Sequence, residues 1–221
     1  LDKFIGDAVM AEFGSPTSQG AQTDALNAIR AGLAMRRSLA ALRSYLLATD
    51  QPPLFHGIGI SYGEVVAGNI GSEQRLEYTV IGDTVNVASR LESLSKRLGT
   101  DFVITAPLYE QVQDQVQVVD LGQHRLAGRE ADLVQVYGVI GFDDTDAHLY
   151  HQVQRDLRQH LGLPVDGAEA SPGKVVLAQP ATPRPTSAQW KIDCINILLC
   201  PIARPIPQKR RRLPLPSAAP W

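Results

Sequence analysis

Apolar residues recur along the chain with two different periods, and the changes between them mark out its elements. Ala8 to Phe13 is a short apolar run entered after Gly6-Asp7 and stopped by Gly14-Ser15-Pro16, the pattern of a strand reached through a tight turn. Leu26, Ile29 and Leu33, then Met35, Leu39, Leu42 and Leu46, follow helical spacing. Thr23 or Asp24 can cap that helix and Pro52-Pro53 ends it. From Phe55 to Gly68 the chain is rich in Gly, Ile and Val, and Gly63 suggests a turn between two strands. Leu76 to Ile81 predicts another strand, Gly82-Asp83 a turn, and Thr84 to Leu98 a helix with Val85, Ala88, Leu91 and Leu94 on its inner face. A strand at Phe102–Thr105, a short helix after Pro107, and strands at Val116–Leu126 and Leu133–Val139 complete the series.

This order of elements predicts an α+β sandwich, with helices packed on a largely antiparallel sheet. Residues 1–142 form the predicted domain. Residues 143–163 add one helix outside it, over Asp146 to Leu161. Residues 164–221, rich in Pro, Ala and Ser, read as a disordered tail that cannot bury enough apolar surface to offset its chain entropy. Within the tail, Trp190 to Ile202 is locally apolar but too short and Pro-flanked to span a bilayer.

Composition narrows the function classes. Of 221 residues, 44% are hydrophobic and 20% charged, ordinary values for a globular protein. A net charge of −2 gives no whole-chain reason to expect nucleic acid as a partner. The Lys209–Arg212 cluster reads as a solvated end of the tail. Cys194 and Cys200 both lie in the tail, which is no disulfide framework and suits a reducing compartment. No apolar run approaches the roughly 20 residues of a membrane span. A cytoplasmic protein is expected, and a membrane-anchored parent is compatible with that. The chain opens with Leu1-Asp2-Lys3-Phe4 inside what reads as an element, so a longer parent chain is also expected.

The most informative stretch runs from Glu77 to Arg90: a strand, a Gly-Asp turn, and a helix carrying Asn86 and Arg90 four residues apart on one face. An arginine fork and a helix N-terminus both suit a phosphate. Chemistry alone leaves two readings, an anion site or an ordinary turn with a solvated arginine. His56, His124, His148, His151 and His160 show no metal-ligand spacing and read as ordinary surface or core residues. Glu64 and Asp83 read as turn and surface carboxylates.

Three segments, Leu1–Ala11, Gly63–Gly71 and Tyr78–Arg90, resemble successive signatures of class III adenylate/guanylate cyclase catalytic domains, in family order and with family-like spacing. The similarity covers roughly Leu1 to Val139. It implies a ferredoxin-like cyclase sandwich whose first strand is missing, and conversion of ATP to 3′,5′-cyclic AMP and pyrophosphate. Asp7 resembles the second of the family's two metal-binding aspartates, and two Mg²⁺ or Mn²⁺ ions are expected in the full-length site. Lys3 and Thr79 stand at the purine-reading positions. A lysine that donates and a hydroxyl that accepts favour adenine, where Glu and Cys would favour guanine. Asn86 resembles the ribose-orienting residue, and Arg90 the one that stabilises charge on the transferring phosphoryl group. The resemblance also implies a head-to-tail homodimer with the site between protomers, and upstream regulatory domains.

Two departures from the family pattern stand out. The aspartate that would be the first metal ligand, with its strand, has no match here, so residues 1–221 alone are expected to be inactive. Ala127, in Leu126-Ala127-Gly128-Arg129, stands where the family often has a phosphate-contacting lysine, and Arg129 offers a substitute from a different place. The alternative function is a catalytically inactive cyclase-homology module that binds nucleotide or dimerises.

Overall fold

The computed structural model describes residues 1–72, 75–127, 129–165 and 192–202. Its elements are β1 (Lys3–Ile5), β2 (Ala8–Phe13), α1 (Ala21–Ala48), β3 (Phe55–Ser72), β4 (Arg75–Ile81), α2 (Asp83–Leu98), β5 (Phe102–Thr105), α3 (Ala106–Val112), β6 (Gln117–Leu126), β7 (Arg129–Gly141), α4 (Asp144–Leu161) and β8 (Ile192–Ile202). The strands form one sheet in the order β1-β2-β8-β3-β5-β7-β6, with β4 paired to the far half of β3. All pairings are antiparallel except β3 with β5. This is the α+β sandwich that the residue pattern predicts.

Helices cover both faces of the sheet, and side-chain alternation decides which residues meet them. Ile58 and Ile60 on β3, with Phe102 and Ile104 on β5, pack with Leu26, Ile29 and Leu33 of α1 and Leu108 of α3. Val103, between the two β5 residues, packs instead with Val87, Leu91 and Leu94 of α2. A strand buried on both faces needs an unbroken apolar run, which is why Phe-Val-Ile-Thr carries no alternation. The α2 face of β3 has another device: Gly57 and Gly59 alternate with the isoleucines. A Cβ at Gly59 would lie 2.2 Å from the Ala88 carbonyl oxygen and 2.4 Å from the Glu92 nitrogen. The missing side chains let α2 rest directly on the strand backbone.

One polar cluster lies inside the α1 layer. Arg36 is fully buried; its Nε and one Nη reach the two oxygens of Asp101 at 2.7 and 2.9 Å, and its guanidinium also donates to the carbonyls of Val139 and Ile140. Gln154 of α4 donates to the same carboxylate at 3.0 Å. Arg36 thereby ties α1 to Asp101, just ahead of β5, and to β7, while Gln154 brings in α4.

Three expectations are corrected. Gly63 is not a turn: β3 runs unbroken from Phe55 to Ser72, and Gly63 is small because Thr84 of α2 stands against it, where a Cβ would lie 2.8 Å from Oγ1. The last helix is not outside the domain, since Tyr150, Val153, Gln154 and Leu157 are buried and Leu157 clusters with Phe55. The tail is not wholly without structure either, because Ile192–Ile202 forms β8 between β2 and β3. The run Ile-Asp-Cys-Ile-Asn-Ile-Leu-Leu-Cys is rich in β-formers, and two neighbouring strands supply the ladder partners that local composition cannot reveal. The Lys209–Arg212 cluster lies outside the described residues.

Candidate active site

The hairpin β1–β2 turns at Gly6-Asp7, with Ile5 paired to Ala8 and Lys3 to Met10. Gly6 has φ +64°, the left-handed conformation that glycine adopts without steric cost. Asp7 consequently stands exposed at the hairpin tip. At the other end of the hairpin, Lys3 faces β4. Its Nζ lies 3.7 Å from an Asp2 oxygen and 3.9 Å from Glu77. Thr79, two residues along β4 and on the same face as Glu77, is buried and donates its hydroxyl hydrogen to Asp2 Oδ2 at 2.6 Å. The Asp2 side chain is only 2% exposed. Lys3 and Thr79, separated by about half of the domain in sequence, are thus joined through one carboxylate.

Past Thr79 the chain leaves β4, passes Gly82 and enters α2. A Cβ at Gly82 would sit 3.1 Å from the Glu64 carbonyl, so glycine lets the turn lie closely against β3. Two hydrogen bonds hold the first turn of the helix there: Thr84 Oγ1 donates to the Glu64 carbonyl at 3.1 Å, and Ser61 Oγ donates to the Thr84 carbonyl at 2.6 Å. Asn86 is exposed one turn into the helix. Arg90 follows on the same face, half-buried, and its Nη1 is buried with no hydrogen-bond partner among the described residues. A guanidinium donor left unpaired in this way is costly unless an acceptor arrives. An anionic oxygen suits it.

Sequence reasoning missed two acidic residues. Asp2 adjoins Lys3, but its role depends on Thr79, and no local pattern announces a contact across the sheet. Glu12 could have been noticed as the one charge in the run Ala8–Phe13. Burial, and after it the neighbouring Asp2 carboxylate, push Glu12 above the usual carboxylate range. Its Oε2 is buried without a partner among the described residues.

The metal question turns on few groups. Among the described residues no group of three or more His, Cys, Asp or Glu side chains is placed to hold a metal ion. Asp7 offers one accessible carboxylate at a turn, which fits one hard cation that takes its other ligands from phosphate and water. Ala127 lies exposed in the turn between β6 and β7. The Arg129 side chain lies outside the described residues.

Comparison with known proteins matches residues 3–140 to the adenylate and guanylate cyclase catalytic domain. Adenylate cyclase 1 of Rhizobium meliloti is 36% identical over 140 residues, which is 62% of this chain and 21% of the relative. The terminal-differentiation-specific adenylate cyclase of Dictyostelium discoideum is 33% identical over 150 residues, 66% of this chain and 7% of the relative. The chain therefore spans about a fifth or less of the length of these two relatives. Among solved structures, the adenylyl cyclase CyaB from P. aeruginosa aligns at TM-score 0.59 and 37% identity, covering 65% of this chain and 72% of that one. The guanylyl cyclase Cya2 aligns at TM-score 0.56 and 37% identity, covering 65% and 70%. With its sandwich, its hairpin aspartate and its strand-turn-helix site, this chain belongs to the adenylate and guanylate cyclase catalytic domain family.

Proposed function

We propose that the chain is an adenylate cyclase domain, converting ATP to 3′,5′-cyclic AMP and pyrophosphate in nucleotide signalling. The observation that carries the adenine preference is the Lys3–Asp2–Thr79 cluster. Lys3 donates to a ring nitrogen of adenine, Thr79 accepts from the exocyclic amino group, and Asn86 orients the ribose. The ribose 3′-hydroxyl gives up its proton to water, and its oxygen attacks the α-phosphorus. The bond from that phosphorus to the bridging oxygen breaks, and pyrophosphate leaves. Arg90 meets the charge that develops on the transferring group, the electrostatic role on which phosphoryl transfer mainly rests. Asp7 would hold Mg²⁺ or Mn²⁺, which supplies neutralisation of phosphate charge. A second ion calls for a further carboxylate.

Exposed apolar side chains support association of two protomers. Phe4 and Ile5 on β1, and Val66, Leu76, Tyr78 and Ile81 on β3 and β4, are exposed large apolar side chains on the strands that carry Lys3 and Thr79 or pair with them. Exposed apolar side chains of this kind favour a partner surface, and we assign them to a second copy in a homodimer that completes the site with Asp7 of the other protomer. ATP as substrate puts the domain on the cytoplasmic side. No helix among the described residues is long and apolar enough to cross a membrane.

The test is nucleotide preference. ATP should bind the purified chain more tightly than GTP, and Lys3→Glu with Thr79→Cys should reverse that order, each lost purine contact being worth about tenfold or more. Preference for GTP in the unaltered chain, or an unchanged order in the double variant, defeats the assignment. Turnover is read by mixing the chain with a relative's catalytic domain that keeps both aspartates but lacks its own site arginine. Cyclic AMP from that mixture must then depend on Arg90, and Arg90→Ala should abolish it while ATP binding persists. A second reading, a nucleotide-binding module without turnover, is favoured by Ala127 at the expected lysine position. ATP binding without cyclic AMP in the mixture would select it.

A further inference from the structure

The purine-reading pair has a supporting group that sets its polarity. We infer that Asp2 is a positioning residue for base selectivity: by accepting the single hydroxyl hydrogen of Thr79, it leaves Thr79 able only to accept from the base. The inference rests on Thr79 being the purine reader proposed above.

The geometry is direct. Thr79 Oγ1 lies 2.6 Å from Asp2 Oδ2, and both side chains are almost wholly removed from water. A hydroxyl has one hydrogen and two lone pairs, whereas a carboxylate only accepts. The shared hydrogen must therefore come from Thr79, and its free lone pairs face any base that reaches it. Adenine presents an amino group at its six position and satisfies them. Guanine presents a carbonyl oxygen there, and two acceptors facing each other leave both unpaired. The other Asp2 oxygen lies 3.7 Å from Lys3 Nζ, so the same carboxylate holds the donor of the pair close beside the acceptor.

An amide at position 2 changes the logic without changing the shape. The NH₂ of Asn can donate to Thr79, freeing the Thr79 hydrogen to point at a carbonyl oxygen. The experiment measures ATP and GTP dissociation constants for the unaltered chain, Asp2→Asn, Thr79→Val and the double variant. Asp2→Asn should shift the ATP-to-GTP preference toward GTP by about tenfold, as expected for one hydrogen bond reversed in sense. In the Thr79→Val background the same change should shift it by less than about twofold, because no hydroxyl remains to orient. A merely structural Asp2 would weaken both nucleotides equally and add to Thr79→Val. That result, or an unchanged preference in Asp2→Asn, overturns the inference. If Thr79→Val itself leaves the preference unmoved, the purine reading fails and this inference with it. If Thr79→Val moves it and Asp2→Asn does not, the reading stands and the inference alone falls.

Discussion

At the scale of single residues, the buried cluster around Asp101 makes stability depend on pH in a definite direction. Burial works to raise the Asp101 pKa, but the Arg36 guanidinium beside it prevails and holds the carboxyl below its ordinary value of 3.8. Burial also pushes His56 below its ordinary 6.5, against the opposing pull of Asp101. Both folded-state values are depressed, so both groups bind protons more readily in the unfolded chain. Their stabilisation is present above the unfolded pKa values and is lost as pH falls, first below 6.5 for His56 and then below 3.8 for Asp101. Urea unfolding should show lower stability at pH 5 than at pH 7, and His56→Gln should flatten that difference. Stability that rises from pH 7 to pH 5, or a His56→Gln slope equal to that of the unaltered chain, contradicts it. Candidate site residues were unevenly legible at this scale. Lys3, Thr79, Asn86 and Arg90 stand in short recognisable motifs. Asp2 makes its contact across the sheet, with Thr79, which no motif records.

At the scale of elements, legibility followed how local the cause is. Ala8–Phe13 and Phe102–Thr105 were read with their observed boundaries, because each is bounded by its own breakers and filled by its own apolar run. Gly63 was misread because glycine in a strand can mean a turn or a close approach, and only the position of Thr84 decides between them. The same ambiguity makes Gly59 a sharp test of how α2 is placed. The two nearest atoms that a Cβ would meet there belong to the α2 backbone and cannot rotate away. Gly59→Ala should therefore destabilise the domain by about 1–3 kcal/mol, the usual range for overpacking. It should also weaken ATP binding, since Asn86 and Arg90 ride on the displaced helix. Gly68→Ala, where nothing lies within 4 Å, serves as the stability control and should be nearly neutral. A Gly59→Ala protein as stable as the Gly68→Ala protein would mean that α2 sits farther from β3 than the structure has it.

At the scale of the whole molecule, the sheet depends on a strand that enters from the end of the chain. β8 pairs with β3 from Phe55 to Val65 and with β2 from Val9 to Phe13, so it joins the hairpin bearing Lys3 and Asp7 to the strand on which α2 rests. Without it the two parts of the candidate site would be joined by side-chain contacts alone, the cluster of Met10 with Val65 and Val80, the Thr79–Asp2 hydrogen bond and the Lys3–Glu77 ion pair, with no backbone ladder between β2 and β3 among the described residues. Unpaired backbone on β2 and β3 would also become a template for association between copies. Composition could not show this, since the value of Ile192–Ile202 as a strand lies in partners more than a hundred residues away in sequence. Leu198 is the natural place to test it, being paired with Met10 on one side and Gly59 on the other. A proline there cannot donate to the ladder, and central strands do not accommodate one. Leu198→Pro should lower the melting midpoint by roughly 6–12 °C, taking a loss of about 3 kcal/mol and about 2–4 °C per kcal/mol for a chain of this size. Removing residues 166–221 should go further, with aggregation on purification and loss of ATP binding. If both proteins melt, elute and bind ATP like the unaltered chain, β8 does not hold the sheet together, and β2 must be secured to β3 in some other way.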